Sequence, residues 1–205
     1  MSPGRLARPQ GYALYEVVVV LALMGLVSAS VFAAFKAGTT IWTTSQQFVA
    51  EQQNARALIN TIARAVRMIG YQYNGANSAV IAGSESDMSF YADMDGDGTM
   101  ECYRFYLNNG VVYEAVVQGA SCAPSVTTAT GQPITAKLES KALKVTSLTF
   151  QYYNAANQGG ALLSVPLSST DLYLVRRIDI AATVQGVASV TPFTVDTQAV
   201  VRAGR

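Results

Sequence analysis

The sequence predicts an α+β protein in which one long N-terminal helix is followed by a head built on a mostly antiparallel sheet. Three observations carry that expectation. The run from Gly11 to Phe35, GYALYEVVVVLALMGLVSASVFAAF, is apolar apart from a single charge at Glu16. Phe48, Gln52, Ala55, Ile59, Ile62, Val66 and Ile69 then follow at alternating spacings of four and three, the period of one helix face. From about Ser78 onward, short runs rich in β-branched and aromatic residues alternate with Gly, Asn, Ser and Pro.

The first run is long enough to span a membrane. At about 1.5 Å rise per residue, a helix from Tyr12 to Phe35 is about 36 Å long, against a bilayer core of about 30 Å. Glu16 is the anomaly, because a carboxylate in hydrocarbon is costly and marks a functional position. The preceding residues carry Arg5 and Arg8 and no acid, which holds the N-terminus in the cytoplasm and sends the rest of the chain outward. A cut after Gly11 would leave Tyr12 with a free ammonium, and Glu16 four residues along on the same face. The cut would also bring Glu16 into the first helical turn, where the helix dipole favours an anion. An ordinary secretory signal fits less well. Its apolar region runs to about 15 residues, whereas Val17 to Phe35 is longer and Glu16 intrudes at its start, although Ser28-Ala29-Ser30 has the composition of a cleavage site. A plain uncleaved anchor leaves Glu16 without a purpose.

The succession of a short basic leader, Gly11, Tyr12, Ala13, Leu14, Tyr15, Glu16 and an unbroken apolar run resembles the N-terminal signal of type IV pilins and type II secretion pseudopilins. That family usually reads Gly-Phe-Thr-Leu-Ile-Glu, so Gly11, Leu14 and Glu16 match outright and Tyr15 departs most. The resemblance implies a pilin-like fold, cleavage of leader residues 1–11 after Gly11 by a prepilin peptidase, N-methylation of Tyr12, and a role for Glu16 in registering subunits during filament assembly. It also implies an inner-membrane protein that moves into a pilus or periplasmic pseudopilus, with other pilin subunits as partners. Many type IV pilins carry a proline inside the span. None occurs between Tyr12 and Phe35 here, which favours a minor pilin or pseudopilin.

The span is expected over 12–36 and an amphipathic second half of the helix over 37–71. In that half Asn54, Arg56, Asn60, Arg64 and Arg67 fall on faces other than the apolar stripe. Gly38-Thr39-Thr40-Ile41-Trp42-Thr43-Thr44 are weak helix formers, which allows a bend between the halves. Residues 72–205 then form one head of about 135 residues, enough to bury its own core.

Strands are expected over Met88–Ala92, Met100–Leu107, Val111–Gln118, Leu143–Tyr153, Tyr173–Val184 and Thr191–Val201. Alternation puts Tyr103, Phe105 and Leu107 on one face and Arg104 and Tyr106 on the other. Asn108-Asn109-Gly110 supplies the left-handed conformations of a tight hairpin turn. Gly119 to Gln132 reads as a polar loop of small residues. The stretches Val145 to Tyr153, Leu174 to Ile180 and Val200-Val201-Arg202 resemble, more loosely, the C-terminal half of PilW-like minor pilins and J-type pseudopilins, with Ala203 where asparagine is usual.

Two features of the head carry chemistry. Cys102 and Cys122 are the only cysteines, and in an exported head they most economically form one disulfide. The hairpin register places Cys102 opposite a residue near Gln118, so the following loop must fold back to close the bond. Asp93-Met94-Asp95-Gly96-Asp97-Gly98 begins like a calcium loop, with carboxylates at alternate positions and Glu101 as a later ligand. The bidentate glutamate of an EF-hand is replaced by Arg104, and a turn of Asp-Gly pairs is the simpler account. Calcium is the one cofactor the sequence suggests, through Asp93, Asp95, Asp97 and Glu101.

Composition narrows the function. The chain has 205 residues, a net charge of +1 and no histidine. Scattered basic residues give no footprint for nucleic acid. Without histidine, Ser-His and Cys-His nucleophilic catalysis lacks its base, so an enzyme is not expected. The expected function is a structural subunit, a minor pilin of a type IV pilus or related filament. A pseudopilin of a type II secretion system is the alternative, and a membrane-anchored β-domain that binds a ligand or surface, as an adhesin would, is the alternative from a different class.

Overall fold

The apolar run and the stripe behind it form one helix, α1 (Gly11–Arg67), in the computed structural model, which describes residues 11–71, 73, 78–119, 122–134, 144–186 and 191–201. The expected leader lies outside these residues up to position 10, and Gly11 opens the helix. The threonine-rich stretch stays α-helical. Thr39, Thr40, Thr43 and Thr44 each donate a hydroxyl to a carbonyl three or four residues back, at 2.9 Å, which satisfies the side chains without breaking the ladder.

The chain divides into two units, Met1–Gln46 and Gln47–Arg205. In the first, the described residues are helical throughout. In the second, two antiparallel sheets accompany the rest of α1. The larger is a meander of five strands in chain order, β1 (Val80–Gly83), β2 (Asp87–Ala92), β3 (Glu101–Asn108), β4 (Val111–Gln118) and β5 (Gln132–Pro133). The smaller runs β6 (Lys144–Tyr153), β7 (Arg177–Gln185), β8 (Phe193–Val200), also in order. The expected α+β architecture is therefore present.

One core holds the second unit together. Ala55, Leu58, Ile59, Ile62, Ala63, Val66 and Ile69 of α1 are buried in a single cluster with Phe90 and Phe105 of the first sheet and Phe150, Tyr152, Ile178 and Ile180 of the second. The two sheets are also tied directly: Phe150 donates its amide to the Glu85 carbonyl at 2.7 Å, and the Tyr152 hydroxyl donates to the Ser84 carbonyl at 3.0 Å.

Several boundaries differ from the sequence expectation. The helix ends at Arg67 rather than 71, because Gly70 turns left-handed (φ 73°) and donates its amide to the Tyr91 carbonyl of β2 at 3.2 Å. The polar loop after β4 contains a short helix, α2 (Ala123–Val126), with proline in its first turn and Val126 fully buried. Residues 173–174, expected to open a strand, belong to another short helix, α3 (Asp171–Leu174). There Ser168 Oγ accepts the Asp171 amide at 3.2 Å and donates to the Asp171 carboxylate at 2.6 Å, a reciprocal pair of bonds that holds the chain in a turn where the helix begins. The β3–β4 turn is as expected, with Asn109 and Gly110 at φ 50° and 80°.

Candidate functional site

The first unit carries the apolar run that begins at Gly11 and the lone acid Glu16. From Leu14 to Phe35 every side chain is exposed, so α1 here carries its leucines, valines and phenylalanines on all faces, uncovered by the described residues. A helix of this length and apolarity can cross a membrane. Glu16 and Lys36 are its only charges between Leu14 and Gln46. Glu16 is exposed and, with α1 starting at Gly11, stands in the second turn rather than the first. Removal of everything through Gly11 would leave it as the fifth residue, one turn from the new ammonium of Tyr12.

The acidic turn between β2 and β3 is built around Asp93, which is fully buried. Its Oδ1 accepts the Gly96 amide at 2.7 Å and its Oδ2 the Gly98 amide at 3.0 Å. Both glycines have positive φ, 78° and 83°, with open space where a side chain would sit, so the backbone conformation and not crowding requires glycine. Asp95, exposed, accepts the Asp97 amide at 3.2 Å. The structure brings carboxylate oxygens of Asp93, Asp95 and Glu101 within 4.8 Å of one another and leaves Asp97 outside that group, its Oδ1 accepting the Thr99 amide at 2.6 Å. Glu101 opens β3 with its side chain buried. That burial first, and then the Asp95 charge, raise its carboxyl above the ordinary range, against a lowering hydrogen bond from the Met94 backbone.

Arg104, where an EF-hand would place its bidentate glutamate, is committed elsewhere. It grips Asp87 across the β2–β3 ladder, with Nη2 at 2.5 Å from Oδ2 and Nε at 3.1 Å from both oxygens. Its Nη1 donates to the Ala129 carbonyl at 3.1 Å, and its guanidinium lies 4.4 Å from the Tyr106 ring centroid. Arg104 thereby ties the segment after α2 to the outer face of the sheet.

Next to Glu101 on β3, Cys102 forms the expected disulfide with Cys122, with Cα atoms 5.8 Å apart. Cys102 pairs with Val117 in the ladder, one residue from the expected neighbour, and Glu101 takes Gln118. The loop does fold back: Gly119 at φ 102° reverses the chain, and Cys122 donates its amide to the Gly119 carbonyl at 3.1 Å. The disulfide and Val126 form a second buried cluster with Tyr91, on the face of the sheet away from α1.

One buried acid was not visible in the sequence pattern. Glu51, one position before the polar gap at Gln52, is only 6% exposed, and a side chain at Gly186 would overlap its carboxylate. Gly186, just after β7, is the glycine that makes room for it. An acid next to a gap in an apolar stripe is a weak signal, because helical phase alone does not separate adjacent positions.

Comparison with known proteins adds the family. A model of the family described as prepilin peptidase-dependent protein B matches residues 44–202. No curated protein matches the chain. Among solved structures, a type IV-like pilin from Thermus thermophilus is similar at a TM-score of 0.48 and 12% identity, over 73% of this chain and 93% of that one.

Proposed function

The chain belongs to the prepilin peptidase-dependent protein B family, and from that premise we propose that it is a minor pilin, cleaved after Gly11 and built into a type IV pilus or related filament through its N-terminal helix. The observation that carries this is the agreement of two separate stretches. The family match begins at residue 44, beyond the signal, while Gly11, Tyr12 and Glu16 form a processing signal that the match does not include. A name that speaks of dependence on prepilin peptidase fits a substrate of that enzyme.

In this function α1 serves twice. Before assembly its exposed apolar residues lie in lipid, with the head outside the cytoplasm; afterwards the same residues bury against neighbouring subunits. Glu16 answers the Tyr12 ammonium of its own or an adjacent subunit, and a register that leaves it unpaired in an apolar bundle is penalised by several kcal/mol. No step calls for catalysis. The head gives neighbours a rigid, disulfide-braced body.

The test is the mass of the mature N-terminal peptide. A peptide starting at methylated Tyr12 is expected; a start near Lys36 would show an ordinary signal peptide, and an intact leader a plain anchor. A type II secretion pseudopilin would share the same processing. Deleting the gene separates the two: loss of surface pili supports the minor pilin, and loss of protein export with pili intact replaces it.

A further inference from the structure

We propose that the β2–β3 turn is a calcium site formed by Asp93, Asp95 and Glu101. Three carboxylates lie within 4.8 Å of one another, two of them buried, at 0% and 3% exposure for Asp93 and Glu101. Among the described residues no arginine or lysine forms an ion pair with them; the ion pairs are Arg104–Asp87 and Arg177–Asp179. Like charges at this separation repel strongly in a poorly solvated pocket, and a divalent cation turns that repulsion into attraction.

Glu101 adds an observation that the acidic turn alone does not. It enters from β3, and its Oε2 is buried with no hydrogen-bond partner. A buried, unpartnered carboxylate oxygen costs free energy on folding unless something fills its coordination. The Met94 backbone reaches the Glu101 carboxyl but leaves Oε2 without a partner, and the amides of Gly96 and Gly98 are held by Asp93 and those of Asp97 and Thr99 by Asp95 and Asp97, so none of these four serves it. A cation shared with Asp93 and Asp95 meets the need.

The donor chemistry selects the ion. All three side chains supply hard oxygen and none supplies nitrogen or sulfur, which suits calcium or magnesium rather than zinc or copper. Calcium accepts irregular oxygen sets of six to eight ligands, whereas magnesium demands near-octahedral geometry and keeps its waters. Asp95 lies on the exposed side, which gives the ion a path in and leaves positions for water. Because Asp93 already fixes the two left-handed glycines, little backbone ordering remains to be done on binding. Glu101 neighbours the disulfide at Cys102, so the ion would brace the same end of β3 that the disulfide secures.

The test uses the full chain in detergent, stripped with EDTA and titrated with CaCl₂ by calorimetry, with thermal unfolding in parallel. One calcium per chain is expected, with a dissociation constant no weaker than about 1 mM, a raised melting temperature, and affinity for Mg²⁺ lower by at least about tenfold. Asp95→Asn should weaken calcium binding by at least about tenfold, while Asp196→Asn, on β8, leaves it unchanged. Asp95 is exposed and its described hydrogen bond is a single weak one, so this variant keeps its fold; a melting curve in EDTA matching the parent's verifies that. Glu101→Gln should abolish the calcium-dependent rise in melting temperature. Absence of heat and of any thermal shift in the parent chain overturns the proposal, as does undiminished binding in Asp95→Asn or equal affinity for Mg²⁺.

Discussion

Glu16 and Tyr152 show how differently a polar group behaves in the two units. Tyr152 is fully buried in the core, and its hydroxyl has a fixed acceptor in the Ser84 carbonyl. Burial first, and then the charge of Asp87, hold its phenol well above the ordinary value of 10.0. The fold keeps the neutral form, so the stability that Tyr152 contributes is intact below about pH 10 and falls as the pH rises above that value. Unfolding at a series of alkaline pH values should show this loss, and Tyr152→Phe should flatten it; an unchanged slope in the variant would rule the residue out. Glu16 has no such fixed partner within the described residues. Under the proposed function its partner is the Tyr12 ammonium created by cleavage, so Glu16→Ala should insert into the membrane normally and enter filaments poorly. Filament incorporation of that variant at parental levels would remove this role. The sequence pointed to Glu16 because a charge stands out in an apolar run, whereas Glu51 stayed hidden because its burial depends on the space left by Gly186, 135 residues away along the chain.

At the scale of elements, strand pairing was legible wherever local rules act alone. The β3–β4 hairpin follows from Asn109-Gly110, and its register then brings Cys102 opposite Val117. Closure of the Cys102–Cys122 bond needed more, namely the reversal at Gly119 and the short helix α2, neither of which has a strong local signal. Four-residue helices lie below the length at which helix periodicity can be read, and both α2 and α3 were missed for that reason. A loop of 20 residues closed by a disulfide contributes about 3 kcal/mol in the chain-entropy account. Replacing both cysteines by serine should therefore lower unfolding stability by roughly 2–4 kcal/mol, read by denaturant titration. A loss below about 0.5 kcal/mol would mean that Arg104 and the buried Val126 already hold the segment in the unbridged chain.

At the scale of the whole molecule, the core is contained in the second unit. Its members run from Ala55 to Val201, and none comes from the apolar part of α1. A chain that starts at Gln47 should therefore be soluble without detergent and melt cooperatively, within a few degrees of the full chain. Failure to fold would show that residues before Gln47 contribute to the stability of the head. Under the proposed function α1 exchanges lipid for protein surroundings, and because its first part gives the head no core residue among the described residues, that exchange would leave the head's packing intact.

The sequence by itself determined the long helix, its membrane-capable half, the main strands and the β3–β4 hairpin, and it supplied the motif around Gly11 and Glu16 on which the proposed processing rests. These depend on hydrophobic period, local charge and turn chemistry, all of which act over a few residues. Tertiary structure alone decided which acids converge with Glu101, that Arg104 pairs with Asp87 and not with the acidic turn, that Glu51 is buried beside Gly186, and that both sheets share one core against α1. Asp93, Asp95 and Glu101 lie close in the chain and only the exclusion of Asp97 needed the fold, whereas the Glu51–Gly186 contact and the shared core join residues far apart. Long-range packing and the solvent excluded with it set the burial of Glu51 and the shared core, and no local pattern encodes either.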